Sequence, residues 1–197
     1  MTGLTFDAAT HTYHDAAGVQ LPNITSMLEQ CGLVDTRWYT DEARRRGTIV
    51  HNLTRDYDLG AIGRDEVSKV DSPVNSVYLG WLQGYIDAMD IIRPEWEEIE
   101  QVRAHAVHRF AGRPDRVGRV YGALAVVEIK SGAPEPAHAV QLALQAILVA
   151  PDLRLPAESL PRYAWYGKGT GKWKLESFPN TRKDFATAHE VIRRCCR

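Results

Sequence analysis

Cysteine is scarce in this chain and badly placed for cross-linking. Cys31, Cys195 and Cys196 are an odd number, and two of them are adjacent. That is a poor disulfide framework, so the expected setting is a reducing cytoplasm. The adjacent pair also lacks the intervening residues that let two thiolates converge on zinc. Long apolar runs are missing as well. The longest, around Ala143–Ala150, is interrupted by Gln145 and stops at Pro151, far short of the roughly 20 residues of a membrane span. No membrane partner is expected. The opening residues, Met1 to Asp7, carry neither the basic nor the apolar region of a secretory signal. Net charge is only −1, which by itself selects no partner. With 44% hydrophobic and 25% charged residues, disorder and coiled coil are excluded.

A chain of 197 residues has room for one substantial core. The expectation is a single domain over 1–197, divided into an N-terminal hairpin and short helix (1–35), a helical region (36–93) and a core (94–197). Turn chemistry at Asp15-Ala16-Ala17-Gly18 joins short strand candidates over residues 4–21. Ile24, Met27 and Leu28 share the face of a short helix, with Gly32 as its stop. A second helix starts at Thr40 or Asp41 and carries Arg44-Arg45-Arg46 and His51. Ser72-Pro73 reads as a helix start, ahead of an apolar face from Val77 to Met89. Beyond Pro94 the period becomes strand-like, with Glu100, Val102, Ala104 and Ala106 sharing one parity. Gly112–Asp115 turns into a strand over Val117–Tyr121, and Gly122 separates it from Leu124–Lys130. That last run is apolar on both faces, as befits a covered central strand. A helix over Ala137–Ala150, strands at Arg162–Tyr166 and Trp173–Phe178, and a final helix from Asn180 or Thr181 complete a three-layer α/β core.

Charge is sorted along the chain. Gly84–Glu100 holds six acids against one base, Gln101–Arg119 five arginines against one aspartate, and Arg162–Arg197 nine bases against three acids. Sorting of this kind puts a basic face on a nearly neutral protein, the footprint of phosphate binding.

The chemistry concentrates at Asp115 and at Glu128-Ile129-Lys130. Residues two apart on a strand project from one face, about 6–7 Å apart, and a hairpin through Gly122 brings the Asp115 carboxylate beside that of Glu128. Two converging carboxylates repel unless a cation lies between them, so the metal-free protein is expected to gain stability when both are made amides. Such oxygen ligands suit magnesium or manganese. A neighbouring lysine can orient a water or steady charge on a phosphodiester transition state.

Asp115 followed by Glu128-Ile129-Lys130 resembles the signature of the PD-(D/E)XK nucleases, and the surroundings resemble their RecB-like and phage exonuclease branch. Gly47-Thr48-Ile49-Val50-His51 is similar to the branch's Gly-x-x-x-His motif, Glu100 to its acid on the first core strand, and Gln141 to its glutamine on the following helix. The opening from Phe6 to Thr25 is similar to that of many phage-encoded members. The resemblance implies a restriction-endonuclease-like core, a central mixed sheet flanked by helices with the N-terminal hairpin and helix appended. It implies a magnesium- or manganese-dependent DNA exonuclease of phage recombination or repair, phage- or bacterium-encoded and cytoplasmic. His51, Asp115, Glu128 and the Ile129 carbonyl would hold the metal. Asp115, Glu128, Lys130, Glu100 and Gln141 would form the catalytic set. A single-strand annealing or other recombination protein, and further copies of the chain, are the partners it suggests besides DNA. Where branch members carry tyrosine four residues after the glutamine, this chain has Gln145. Iron–sulfur members use four cysteines, a set three cannot supply, so no cluster is expected.

Arg44, Arg45, Arg113 and Arg116 flank the site in sequence and are candidates for DNA phosphates. Lys168 and Lys172, with Lys174, suit a mobile, phosphate-gripping hairpin. Trp38, Tyr39 and Trp81 are candidates for stacking on bases. Two other nuclease-like readings stay open: a structure-specific or site-specific endonuclease, and an idle nuclease-like subunit that only binds DNA. A plain α/β protein with a Glu128–Lys130 surface ion pair is the remaining alternative.

Overall fold

In the computed structural model the structure describes residues 3–35, 37, 39–64, 77–179 and 182–196. Trp38, the Ser72-Pro73 helix start and the proposed helix start at Asn180 or Thr181 lie outside them.

The chain begins with a three-stranded antiparallel sheet, β1 (Thr5–Asp7), β2 (Thr12–His14) and β3 (Gln20–Leu21). Helix α1 (Ile24–Gln30) follows, capped reciprocally by Asn23 and Ser26 and burying Ile24, Met27 and Leu28. Helix α2 (Asp41–Asp58) starts where the sequence indicates, because Thr40 Oγ1 accepts from the Ala43 amide and two acids fill the first turn. Helix α3 (Leu79–Ile92) buries Leu82, Tyr85, Ile86 and Ala88. Val77, expected on the buried face, stands before the helix and is exposed.

Strand β4 (Glu95–Ile99) ends earlier than the alternation from Glu100 to Ala106 suggests. Glu100 takes φ 50°, a conformation costly for a side-chain-bearing residue, and so breaks the strand. Its amide is held by the Asp115 carbonyl at 3.0 Å. The rest of the run becomes β5 (Arg103–His105), which pairs with β6 (Phe110–Gly112) in a separate two-stranded ribbon. A bridge from Asn23 to Ala111 ties this ribbon to the N-terminal segment.

Strands β7 (Arg116–Val120) and β8 (Ala123–Lys130) form the expected hairpin. Tyr121 and Gly122 both have positive φ, 52° and 80°, the two-residue turn whose twist matches its strands. Helix α4 (Ala137–Leu153) then crosses to β9 (Arg162–Gly167), parallel to β8, and β10 (Trp173–Phe178) returns antiparallel. The central sheet therefore has the order β10-β9-β8-β7-β4 and is mixed. Helix α5 (Arg182–Cys195) closes the described chain.

Helices cover both faces of this sheet, and strand alternation decides what they touch. Val126 faces α1, α4 and α5 together with Val117. Ala125, Val127 and Ile129 face Val50 of α2 and Tyr85 and Ala88 of α3. Helix α4 buries residues on nearly every side, as a helix apolar all round must. Among the described residues no helix is long and apolar enough to cross a membrane. Cys31 and Cys195, distant in sequence, meet with sulfurs 3.8 Å apart, and all three cysteines are free thiols.

Candidate metal centre

Asp115 enters β7 one residue before the paired register begins at Arg116↔Val127. Extending that register by one places Asp115 opposite Glu128, at the end of the sheet where β4 also stops. A cavity of about 450 Å³ opens there. Its lining includes His51, Glu100, Asp115, Glu128, Gln141 and Gln145 from the core, and His11, Tyr13 and Asn23 from the N-terminal segment.

Within it His51, Glu100 and Asp115 each turn a ligand atom to a common point, all within 4.8 Å of one another. Two carboxylates and an imidazole are a donor set that fits a divalent cation. The protein alone already balances the charge. His51 Nδ1 lies 3.2 Å from Asp115 Oδ1. Glu100 is flanked by Arg113 at 3.4 Å and Arg55 at 3.7 Å. Burial opposes the His51 imidazolium, but Asp115 and then Glu128 outweigh it, so the His51 pKa lies above its ordinary value. Burial likewise raises the Asp115 pKa, yet His51, the Ile129 amide and Lys130 together bring it below the usual carboxylate range. The expected repulsion between uncompensated acids is thus corrected: each carboxylate here has a cation or donors of its own.

Glu128 lines the same cavity but stands outside the tight three-residue cluster. Its Oε1 accepts from Gln141 Nε2 at 2.6 Å and Lys130 Nζ at 3.0 Å, and its Oε2 from Gln145 Nε2 at 2.6 Å. Lys130 Nζ also donates to Gln141 Oε1 at 2.9 Å. Burial works against the lysine's charge, but Glu128 and Asp115 overcome it and keep the amine protonated beyond its ordinary range. Ile129 contributes its amide, which donates to Asp115 Oδ2 at 2.7 Å, and its side chain is buried on the opposite face.

Gln145 is the residue the sequence reading took only as a departure from the branch's tyrosine. It lies one turn beyond Gln141 on a helix otherwise apolar from Leu142 to Ala150, and that i,i+4 pair of amides in an apolar helix was its signal. Its Oε1 is buried without a partner among the described residues.

The arginines separate. Arg113 lies at the cavity mouth beside Glu100, with its guanidinium 5.2 Å from the Phe6 ring centroid. Arg44 and Arg45 are exposed on the first half of α2, Arg44 pairing with Asp41 at 3.1 Å. Arg116 corrects the reading that gave it to DNA. It is fully buried on the other face of β7, where its Nε donates to Asp58 Oδ2 at 2.6 Å and its Nη2 reaches Thr54 Oγ1. Tyr85 OH donates to the same Asp58 oxygen at 2.7 Å. Lys168 and Lys172 are exposed at the turn between β9 and β10. Tyr39 donates to Glu135 at 3.3 Å, and Trp81 is half-buried, its Nε1 donating to the Gly167 carbonyl at 3.1 Å.

No protein-family model matches the chain, and a comparison with curated proteins finds no match.

Proposed function

We propose that the protein is a divalent-metal-dependent DNA nuclease of the PD-(D/E)XK type, acting as an exonuclease, with a restriction-endonuclease-like core. The observation that carries this reading is the convergence of His51, Glu100 and Asp115 to within 4.8 Å next to a lysine fixed by Glu128 and Gln141. The antiparallel β7–β8 hairpin, with α4 crossing to a parallel β9, supports the fold assignment. His51, Glu100 and Asp115 would hold magnesium or manganese, with Glu128 behind them. A cation there supplies Lewis acidity, making a water acidic and offsetting charge on a scissile phosphate.

The chain's own residues do the rest. Lys130, charged and held by two acceptors, lines the pocket that shares Gly47 and His51 with the cavity, and from there it would orient the attacking water or stabilise negative charge as it develops. Gln141 and Gln145 fix the Glu128 carboxylate and through it the lysine. Arg113 and Arg55 balance Glu100 and stand ready for phosphate oxygens when a cation takes over that carboxylate. The N-terminal segment walls one side of the cavity with His11, Tyr13 and Asn23, which favours a strand end over a continuous duplex. The test is incubation with end-labelled linear DNA and closed circular DNA, in chelator, magnesium and manganese. Metal-dependent loss of label from the linear substrate alone is expected. Cutting of the closed circle would shift the reading to an endonuclease, and no cutting with either metal would overturn it.

A further inference from the structure

A second cleft, of about 560 Å³, lies beyond the metal centre. Its cations are Arg46, Lys168, Lys172 and Lys174, and no carboxylate lines it; its aromatic walls are Trp81, Tyr166 and Trp173. The two spaces are joined. The acidic cavity shares Gly47 and His51 with an intermediate pocket, and that pocket shares Arg46 and Ser131 to Ala133 with the basic cleft. The trough therefore runs from the β9–β10 turn, across the Gly47 face of α2, to the cluster under the N-terminal segment.

The turn carrying the lysines packs closely on α3. A Cβ on Gly80 would lie 1.7 Å from the Gly169 carbonyl oxygen, and one on Gly84 2.6 Å from that of Gly171. Two glycines one turn apart on α3 thus let the backbone of the turn lie directly on the helix. Trp81 adds its bond to Gly167. Lys174 pairs with Glu176 at 2.9 Å, but among the described residues no ion pair takes up Lys168 or Lys172. Arg46 has its Nε buried with no partner. Lys168, Lys172 and the Arg46 Nε thus have no acceptor among the described residues.

We propose that this cleft binds the unpaired DNA strand that leads into the metal centre. Phosphates need cations spaced along a groove. Bases gain from aromatic walls only when their faces are free, whereas duplex bases already stack on one another. A cleft with both features, continuous with the acidic site, fits a single strand. The inference rests on the nuclease reading but is tested apart from it. Binding of a fluorescent oligothymidylate is measured by anisotropy in chelator over a salt series, for the wild type and for Lys168→Gln with Lys172→Gln. At about 0.7 counterions per phosphate contact on single strands, the double variant should lose about 1.4 from the slope of log K against log salt. It should also bind about tenfold more weakly, and tryptophan emission should be quenched when the wild type binds. Unchanged slope and affinity in the variant, equal or tighter binding of a blunt duplex, or tighter binding of single-stranded RNA would each overturn the proposal. The two readings fail separately. Strand binding lost in the variant, with no cleavage in either metal, removes the nuclease and keeps the cleft. Cleavage with an indifferent variant does the reverse.

Discussion

Asp115 and Arg116 are neighbours in sequence, yet strand alternation sends them to opposite faces of the sheet, where each meets α2. Asp115 meets His51, and Arg116 meets Thr54 and Asp58, residues three, four and seven apart and therefore on one side of the helix. The first cluster opens into a cavity; the second is sealed among Val50, Tyr85 and Ile129. Their carboxylates respond in opposite directions. Asp115 is pulled below its ordinary pKa because countercharge and an amide outweigh burial. Asp58 is pushed above its ordinary value because burial outweighs Arg116 and Tyr85. One helix thus carries a desolvated acid committed to the fold and faces, from His51, an over-compensated acid at the entry to β7.

The largest effect should come from the sealed cluster. Arg116→Ala leaves Asp58 buried without its cation and is expected to cost about 3–5 kcal/mol in urea denaturation, while any metal-induced stabilisation survives. A loss below about 1 kcal/mol would mean that water reaches Asp58 and the two clusters are not so different. Next comes Lys130→Ala, expected to lower cleavage at least about a hundredfold, or about 2.7 kcal/mol of barrier, with the circular dichroism spectrum unchanged. Turnover within about tenfold of wild type would remove the lysine from the chemistry. Third, saturating manganese should stabilise the wild type by about 1–3 kcal/mol through mass action and Asp115→Asn not at all. In chelator that variant should melt below the wild type, because it strips His51 and Lys130 of a shared counterion. A variant that still gains from manganese would place the ion elsewhere.

The smallest effect is the pH profile of the metal-free protein. The His51 pKa is raised, so its contribution is complete below about pH 6.5 and is lost as pH rises through the folded value. Melting temperature should therefore fall on the alkaline side, and His51→Gln should flatten that limb. His138 works the other way: burial first, then Lys130, bring its pKa down to about 4. Its Nδ1 accepts from the Glu135 amide at 3.2 Å and lies 2.7 Å from the Tyr166 hydroxyl. Its contribution is present above about pH 6.5 and lost as pH falls toward 4, giving the acid limb. An alkaline limb unchanged by His51→Gln would show that the open cluster is not compensated as described.

What could be read in advance follows from range. Glu128 and Lys130 were legible because strand period is two, and Asp115 because a two-residue turn fixes its register against Glu128. The break at Glu100 was not, since its positive φ answers to the Asp115 carbonyl across the sheet. Arg116 was misread for a similar reason: its partner Asp58 is 58 residues away, and composition shows an arginine run, not the strand face on which each arginine lands. Gln145 was visible but taken as a missing tyrosine instead of a second amide for Glu128.

The three candidate ligand residues come from the middle of α2, the residue after β4 and the entry to β7, so the proposed cation site does not exist in any short stretch of chain. Its parts meet only after α2 has docked and β4 and β7 have paired. On the proposed reading a cation would not template this fold as zinc does in small finger domains; it would arrive at a nearly finished molecule. Occupancy of the site would then be a record that the chain has completed its assembly, since a half-folded chain would carry every candidate ligand residue yet present no centre.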